Sequence, residues 1–212
     1  CNIQLPLGAE IVSVQTDPEK CDAVKKSLRA YDSRCLRELS LLLKRGSEER
    51  EQIALAYLRK IVRRRGPVRE MLADPDVLAA RENIRKVTAE AHHFTGFLRF
   101  MEGTGELFYA PFEPDNDILE LILPHFLRRL PGQSFVIHDV KRQKAALYNG
   151  HDCVIAKTEK KVNILISDRE EIFRSLWKEY YRSVNITQRP HEKQMKGYMP
   201  VRYWKYMPEK TP

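Results

Sequence analysis

The stretch TGFLRFMEGTGELFYAPF, residues 95–112, is where the sequence changes from a helical pattern to a strand pattern. Two runs rich in aromatic residues flank the turn sequence GTGE, and this arrangement predicts a β-hairpin from about Thr95 to Phe112. We therefore expect a sheet to begin here and helices to dominate the residues before it.

The residues after this hairpin alternate between helical and strand patterns. EPDNDILELILPHFLRR, residues 113–129, predicts a helix. SFVIHDVKRQKAALYNG predicts a second hairpin with its turn near Lys141 to Lys144, and CVIAK predicts one more strand. A last helix follows a capping box from Ser167 to Glu170. Its predicted buried face consists of Ile172, Phe173, Leu176, Tyr180 and Val184.

The residues before the hairpin predict four helices and one short strand at Glu10 to Val14. A capping box from Thr16 to Glu19 starts the first helix, and Ser47 is the predicted N-cap of the third. Asp74 and Pro75 start the fourth helix, whose predicted core stripe is Val77, Ile84, Val87 and Ala91.

Together these patterns predict an α+β fold, in which a mainly helical N-terminal part precedes an antiparallel sheet of hairpin-helix-hairpin-helix order with its helices packed on one face. We expect a helical subdomain at residues 1–93, an α+β subdomain at 94–188 and a basic, aromatic C-terminal tail at 189–212.

The four cysteines lie far apart without any C-x-x-C pair, which favours a reducing, cytoplasmic setting. No apolar run is long enough to span a membrane, so no membrane partner is expected. Because the first residue is Cys1 rather than methionine, we expect the sequence to be a piece of a longer protein.

The net charge of +8 is unevenly distributed along the chain. Residues 41–100 carry thirteen basic and eight acidic groups, and residues 141–212 carry sixteen and eight. Concentrated positive charge attracts polyanions and makes DNA the first partner to consider. The alternative is a solvated, lysine-rich surface that only keeps the protein soluble.

The stretch of residues 113–129 also contains a candidate catalytic set. A hydrolytic site could combine His125 with the carboxylates of Glu113, Asp115 and Asp139. In the alternative interpretation the acids belong to a well-capped helix, with Asp115 or Asn116 as its N-cap. Pro124 is then expected to make the helix kink or restart.

The sequence EAHHF suggests a metal site only weakly. Adjacent histidines such as His92 and His93 point about 100° apart on a helix, so they do not share a metal with Glu90 as an i, i+4 pair does. We therefore expect no metal site and no cofactor.

Two basic segments fit nucleic acid better. YLRKIVRRRG places five cations at a helix end, and the tail interleaves Arg189, Lys193, Lys196, Arg202 and Lys205 with tyrosines and a tryptophan. Alternatively, the tail rings anchor the tail to the core. The candidate nucleic-acid-binding residues are Arg59, Lys60, Arg63, Arg64, Arg65, Arg99, Arg129, Lys141, Arg142, Lys196, Arg202, Tyr203, Trp204 and Lys205.

Residues 91–150, together with LWKEYYRSVNI and MPVRYWKYMPE, resemble a bacterial family of uncharacterised proteins of DNA repair or DNA metabolism. Members are encoded beside a radical-SAM protein, and related domains are fused to uracil-DNA glycosylase-like proteins. The resemblance implies a role on DNA and a radical-SAM partner, but it supplies no established reaction. The matching positions are His92, Arg99, Glu113, Asp115, His125, Arg129, Asp139, Arg142, Tyr203 and Trp204.

Three functions remain open from the sequence. The favoured one is a DNA-binding accessory protein that partners a radical-SAM protein. The second is a hydrolytic DNA-processing enzyme, such as a nuclease, centred on His125. The third is a protein-interaction subunit whose basic face meets an acidic partner. The oligomeric state is not predicted.

Overall fold

The computed structural model describes residue 15 and residues 17–158, 165–184 and 196–210. The predicted strand at Glu10 to Val14, the capping residue Thr16 and the tail cations Arg189 and Lys193 lie outside the described residues. The helices are α1 (Pro18–Tyr31), α2 (Cys35–Leu43), α3 (Arg50–Arg64), α4 (Pro75–Phe97), α5 (Leu119–Arg129) and α6 (Arg169–Val184), with a 3₁₀ helix at Val201–Tyr206. The strands are β1 (Met101–Glu102), β2 (Phe108–Phe112), β3 (Phe135–Asp139), β4 (Lys144–Tyr148) and β5 (Cys153–Lys157).

The chain divides into two compact units, Cys1–Thr88 and Ala89–Pro212. In the first unit the core comes from apolar side chains at helical spacing, among them Leu28, Leu42, Tyr57 and Ile61. The predicted stripe of α4 is confirmed, since Val77, Ile84, Val87 and Ala91 are all buried.

The starts of α1 and α4 follow local capping chemistry, whereas α2 and α3 start without a side-chain cap. Asp17 is the N-cap of α1, and its Oδ1 accepts a 3.1 Å hydrogen bond from the Lys20 amide. Ser47 is not the N-cap of α3, because its hydroxyl accepts from the Glu49 amide one turn before the helix begins. Asp74 caps α4 as predicted and accepts from the Asp76 amide at 3.0 Å.

The second unit contains a five-stranded sheet in the order β1-β2-β3-β4-β5. The α+β class is confirmed. The expectation of an all-antiparallel sheet is wrong for one pair, since β2 and β3 are parallel whereas the other neighbours are antiparallel. The reason is that α5 carries the chain back to the starting end of the sheet before β3 begins, as a crossover connection does.

The first hairpin is shorter than predicted. Thr95 lies within α4, which continues to Phe97, and β1 contributes only two residues, paired as Met101 with Tyr109 and Glu102 with Phe108. The helix continues because Phe94 is buried on its inner stripe, with its ring 5.2 Å from that of Phe112.

Helix α5 differs from its prediction at the start and in the middle. It begins at Leu119 with Ile118 as N-cap, so the expectation that Asp115 or Asn116 caps the helix is wrong. It runs without a restart across Pro124, because burial of Leu123 and Phe126 on either side offsets the hydrogen bond that proline removes.

Helix α6 exposes the face that the sequence predicts to be buried. Ile172, Phe173, Leu176 and Tyr180 are between 52% and 61% exposed, and the side chain of Val184 lies outside the described residues. The helix is instead attached through a polar residue, because the buried Glu170 carboxylate accepts from the Glu102 amide at 2.8 Å. Its amphipathic stripe therefore contributes little to the core.

Among the described helices, none combines the length and the apolar composition that a membrane span requires.

Candidate nucleic-acid interface

The C-terminal end of α3 presents a group of exposed arginines, which we call the α3 arginine cluster: Arg59, Arg63, Arg64 and Arg65. No carboxylate of the described residues forms an ion pair with any of them, and Arg64 donates a hydrogen bond to the Met71 sulfur at 3.0 Å. Lys60 is different, because it forms ion pairs with Asp74 at 2.6 Å and Asp76 at 3.1 Å. Hydrogen bonds to these two carboxylates raise the pKa of Lys60.

The helical period explains why these arginines face outward. Ala54, Tyr57 and Ile61 fill the buried stripe of α3, which leaves Arg59 and Arg63, one turn apart, on the opposite surface. The helix ends at Arg65 in the left-handed conformation with a φ of 55°. Cations at this end are also favoured by the helix dipole, which accounts for their position at the C-terminal end of the helix.

The cations of the 3₁₀ helix pair with carboxylates of their own chain. Arg202 lies 2.9 Å from Asp115, and Lys205 lies 2.7 Å from Glu113. The two predicted stacking rings next to them are also engaged. Tyr203 is buried, and the Trp204 indole donates to the Met199 carbonyl at 3.0 Å. This geometry favours the alternative in which the rings anchor the C-terminal segment.

The remaining predicted cations divide into two groups. Arg99 binds Glu209 at 2.6 Å, and Arg142 binds Asp139 at 2.9 Å and the Asp115 carbonyl at 2.6 Å. These two arginines therefore hold loops in place. The other group is exposed to solvent and consists of Arg129, Lys141 and Lys196.

The predicted catalytic residues do not form an acid-base pair in the structure. Glu113 and Asp115 accept from the 3₁₀ helix, and Asp139 accepts from Arg142. The Nε2 atom of His125 is buried without a hydrogen-bond partner among the described residues. Within that part of the chain no hydrogen bond links His125 to the three carboxylates, so the hydrolytic hypothesis gains no geometric support.

The histidines of EAHHF are likewise not arranged around a metal. The rings of His92 and His93 are 6.4 Å apart, and Glu90 points into the core. Among the residues that the structure describes, no group of three histidine, cysteine or acidic side chains could hold a metal ion.

Comparison with known proteins gives one match. A family model described as a domain of unknown function, DUF4130, matches residues 48–209. The chain belongs to the DUF4130 family. No curated protein and no solved structure matches it. The matched residues of this DUF4130 chain include the α3 arginine cluster and nearly all of the described second unit.

Two buried polar centres of the DUF4130 chain were not predicted from the sequence. Glu90 accepts hydrogen bonds from the Asp115 amide, from the amide and side chain of Asn116, and from the Tyr203 hydroxyl. His138 is fully buried, with Tyr109 at 2.8 Å from Nδ1 and Thr158 at 3.0 Å from Nε2. The hydrogen-bond partners come from segments that lie far apart in the sequence. The one sign of such a centre in the sequence is a polar residue at a position that the helix or strand pattern places in the core.

Burial of Asp139 predicts a specific pH dependence of stability. Desolvation raises the pKa of this carboxyl above its ordinary value of 3.8, even though Arg142 lowers it in part. The folded chain therefore keeps this proton to higher pH than the unfolded chain, and Asp139 contributes less stability as the pH rises from 3.8 through the folded pKa. Relative to the wild type, Asp139→Asn should gain stability across this window.

The measurement is urea unfolding of both proteins at a series of pH values, followed by tryptophan fluorescence. Both tryptophans of the sequence, Trp177 and Trp204, lie in the second unit, so the signal follows the unit that contains Asp139. Parallel stability curves for the two proteins would contradict the expected shift.

Proposed function

We propose that this protein is a DNA-binding accessory protein of DNA repair or DNA metabolism, and that the α3 arginine cluster binds the phosphate backbone. The observation that supports the proposal is the contrast between these arginines and the other cations. Arg202 and Lys205 are neutralised by neighbouring carboxylates, whereas the cluster has no such partner among the described residues.

Arginine suits this role for chemical reasons. Its guanidinium stays charged at all physiological pH values and donates two parallel hydrogen bonds to a phosphate. Arg59 and Arg63, one turn apart, can both face a backbone that lies across the helix. Such contacts carry no sequence information, so the proposal predicts binding of DNA without base specificity through this surface.

The proposal predicts a defined loss of salt dependence. Replacing Arg59 and Arg63 together with glutamine should weaken DNA binding uniformly across sequences and make it less sensitive to salt. If each arginine neutralises one phosphate, the slope of log affinity against log salt should fall by about 1.8 for duplex DNA and about 1.4 for single strands. Fluorescence anisotropy with a labelled strand and its duplex at several salt concentrations measures both slopes.

The matched control removes two exposed cations that have acidic partners. Lys20 and Lys25 of α1 pair with Asp17 and Asp22, each at 3.1 Å, so the Lys20→Gln/Lys25→Gln variant has the same change in net charge. We expect it to leave the slope nearly unchanged. Equal slopes for the wild type and the Arg59→Gln/Arg63→Gln variant, or no DNA binding at low salt, would rule out the proposed interface.

The family resemblance adds a partner to the proposal. We propose that the protein delivers DNA to a radical-SAM protein, which carries the iron-sulfur chemistry that this chain is not expected to supply. A pull-down of a radical-SAM protein in the presence of nuclease tests the partnership. Recovery that persists after nuclease treatment supports direct contact, and recovery that disappears means that the DNA alone linked the two proteins.

A further inference from the structure

The exposed face of α6 lines a cleft of about 570 Å³ in the second unit. The walls of this cleft come from the end of α4, from α5 and from α6. Three residues of the stripe that the sequence predicts to be core, Phe173, Leu176 and Tyr180, lie on the α6 wall. The volume is in the range typical of small-molecule sites.

The walls of the cleft are mainly apolar and aromatic. Phe173, Leu176 and Tyr180 are between 52% and 61% exposed, so a ligand in the cleft would remove apolar surface from water. Phe100 and Phe126 line the cleft from outside α6, and their rings meet edge to face with centroids 5.4 Å apart. Walls with this many rings favour a ligand that is itself aromatic, because aromatic pairs gain more than their buried area provides.

The charges on the walls compensate one another except at Arg129. Arg99 pairs with Glu209 at 2.6 Å, and Arg174 pairs with Glu170 at 2.9 Å. Arg129 lines the cleft at the end of α5 and is exposed, and its guanidinium has neither an ion pair nor a hydrogen bond within the part of the chain that the structure describes. The residues that line the cleft therefore carry one uncompensated positive charge.

We propose that this cleft binds an aromatic monocarboxylate, with its rings against the apolar walls and its carboxylate on the Arg129 guanidinium. The fork of a guanidinium matches a carboxylate and donates two parallel hydrogen bonds to it. One uncompensated cation selects a monoanion, because the second charge of a dianion would lie near Glu170 without a cation of its own.

The shape of the site favours a small molecule over a protein surface, since a concave apolar site with a few placed polar groups is typical of small-molecule binding. The site belongs to the second unit and uses no residue of the α3 arginine cluster. The proposal therefore goes beyond DNA binding and does not depend on it.

Trp177 lines the cleft and can report its occupancy. Its ring centroid lies 5.3 Å from the Arg99 guanidinium carbon and 5.5 Å from the Tyr180 centroid. In a Trp204→Phe background the tryptophan fluorescence of the full chain comes from Trp177 alone. Titration with biphenylacetate should change this fluorescence saturably.

A neutral analogue isolates the contribution of the charge. Biphenylacetamide has the same rings without the carboxylate, and we expect it to bind about fivefold more weakly than biphenylacetate, as an exposed but well-oriented ion pair implies. Isothermal titration calorimetry of the wild type measures the same ratio without any substitution, so the comparison stands even if the Trp204→Phe variant fails to fold.

Two variants separate the anchor from the apolar walls. Arg129→Gln should bring the ratio of the two affinities close to one and leave the affinity for biphenylacetamide unchanged. Arg128→Gln is the matched control, because Arg128 is also an exposed arginine in the last turn of α5 but does not line the cleft. Leu176→Asn should weaken both ligands by a similar factor of about five, because it removes part of the apolar wall.

The outcomes are distinguishable from those for the α3 arginine cluster. No saturable binding of biphenylacetate, or equal affinities of the wild type for the acid and the amide, overturns the proposal whatever the Arg59→Gln/Arg63→Gln variant does. Equal losses in Arg128→Gln and Arg129→Gln also overturn it, because the charge would then act without a specific anchor.

Two further results would assign the cleft to another occupant. Tighter binding of biphenylmethylphosphonate, the dianionic analogue, than of biphenylacetate overturns the assignment to a monocarboxylate. Self-association that Leu176→Asn abolishes, together with no binding of biphenylacetate, shows that this face binds a second copy of the chain and overturns the proposal.

Discussion

Glu90→Ala is expected to lower the unfolding free energy of the second unit by about 3–5 kcal/mol. The carboxylate is buried and accepts four hydrogen bonds at 2.6–2.8 Å, which join α4 to the loop before α5 and to the 3₁₀ helix. Alanine would leave those donors buried without an acceptor and would create a cavity beside Phe94, whose ring is 4.7 Å from that of Tyr203. Urea unfolding followed by tryptophan fluorescence measures the loss.

Two milder changes at the same centre test the cause. In Glu90→Gln, whichever way the amide is oriented, its NH₂ group meets two donors, so a loss of about 2–3 kcal/mol is expected. Tyr203→Phe removes the hydrogen bond to Glu90 and the one that the hydroxyl accepts from Arg202 at 3.0 Å, and should cost about 1–2 kcal/mol. Glu171 on α6 is exposed, and Glu171→Ala serves as the control with a loss below about 1 kcal/mol. A Glu90→Gln variant as stable as the wild type would refute the role of the ionised carboxylate.

Arg69→Met should destabilise the first unit by about 3–5 kcal/mol. The Arg69 guanidinium binds both oxygens of Asp32 at 2.6 Å and one oxygen of Glu38 at 3.2 Å, and these two carboxylate side chains are only 4% and 9% exposed. Without this cation two buried charges lose their main partner. Arg69→Lys should recover only part of the loss, because a single ammonium group cannot reach both carboxylates with fork geometry.

The reactivity of Cys35 provides a local measure of the stability that the first unit loses in Arg69→Met. Its side chain is fully buried next to the network, and burial, followed by the charges of Asp32 and Glu38, raises the pKa of its thiol to about 11. Opening of the first unit exposes the thiol, so Arg69→Met should accelerate its alkylation by at least about a hundredfold, as quantified on the Cys35 peptide by mass spectrometry. Arg50→Met is the control, because Arg50 and Glu51 form an exposed pair that solvent screens. Equal alkylation rates in the two variants would show that the network adds little.

The networks around Glu90 and Arg69 show which kind of residue cannot be predicted from one sequence. Asp32, Glu38 and Arg69 are ordinary surface residues by type, and their spacing along the chain suggests no pairing. Only the packing of α1, α2 and the segment before α4 brings them together. The same holds for Glu113, which the sequence presents as a catalytic candidate and which the fold uses to hold Lys205 and Tyr206.

The sequence by itself determined the local elements, because capping residues and apolar spacing act within a few positions. It correctly placed the second hairpin, the strand Cys153–Lys157 and the start of α4. It also located the cations of the α3 arginine cluster at the end of a helix.

The tertiary structure alone decided the parallel pairing of β2 with β3, the exposure of the α6 stripe, and which cations have carboxylate partners. Strand direction depends on where a connecting helix returns the chain, and a helix stripe is buried only if another surface covers it. An ion pair depends on distances between residues far apart in the sequence, and those distances are set when the chain folds.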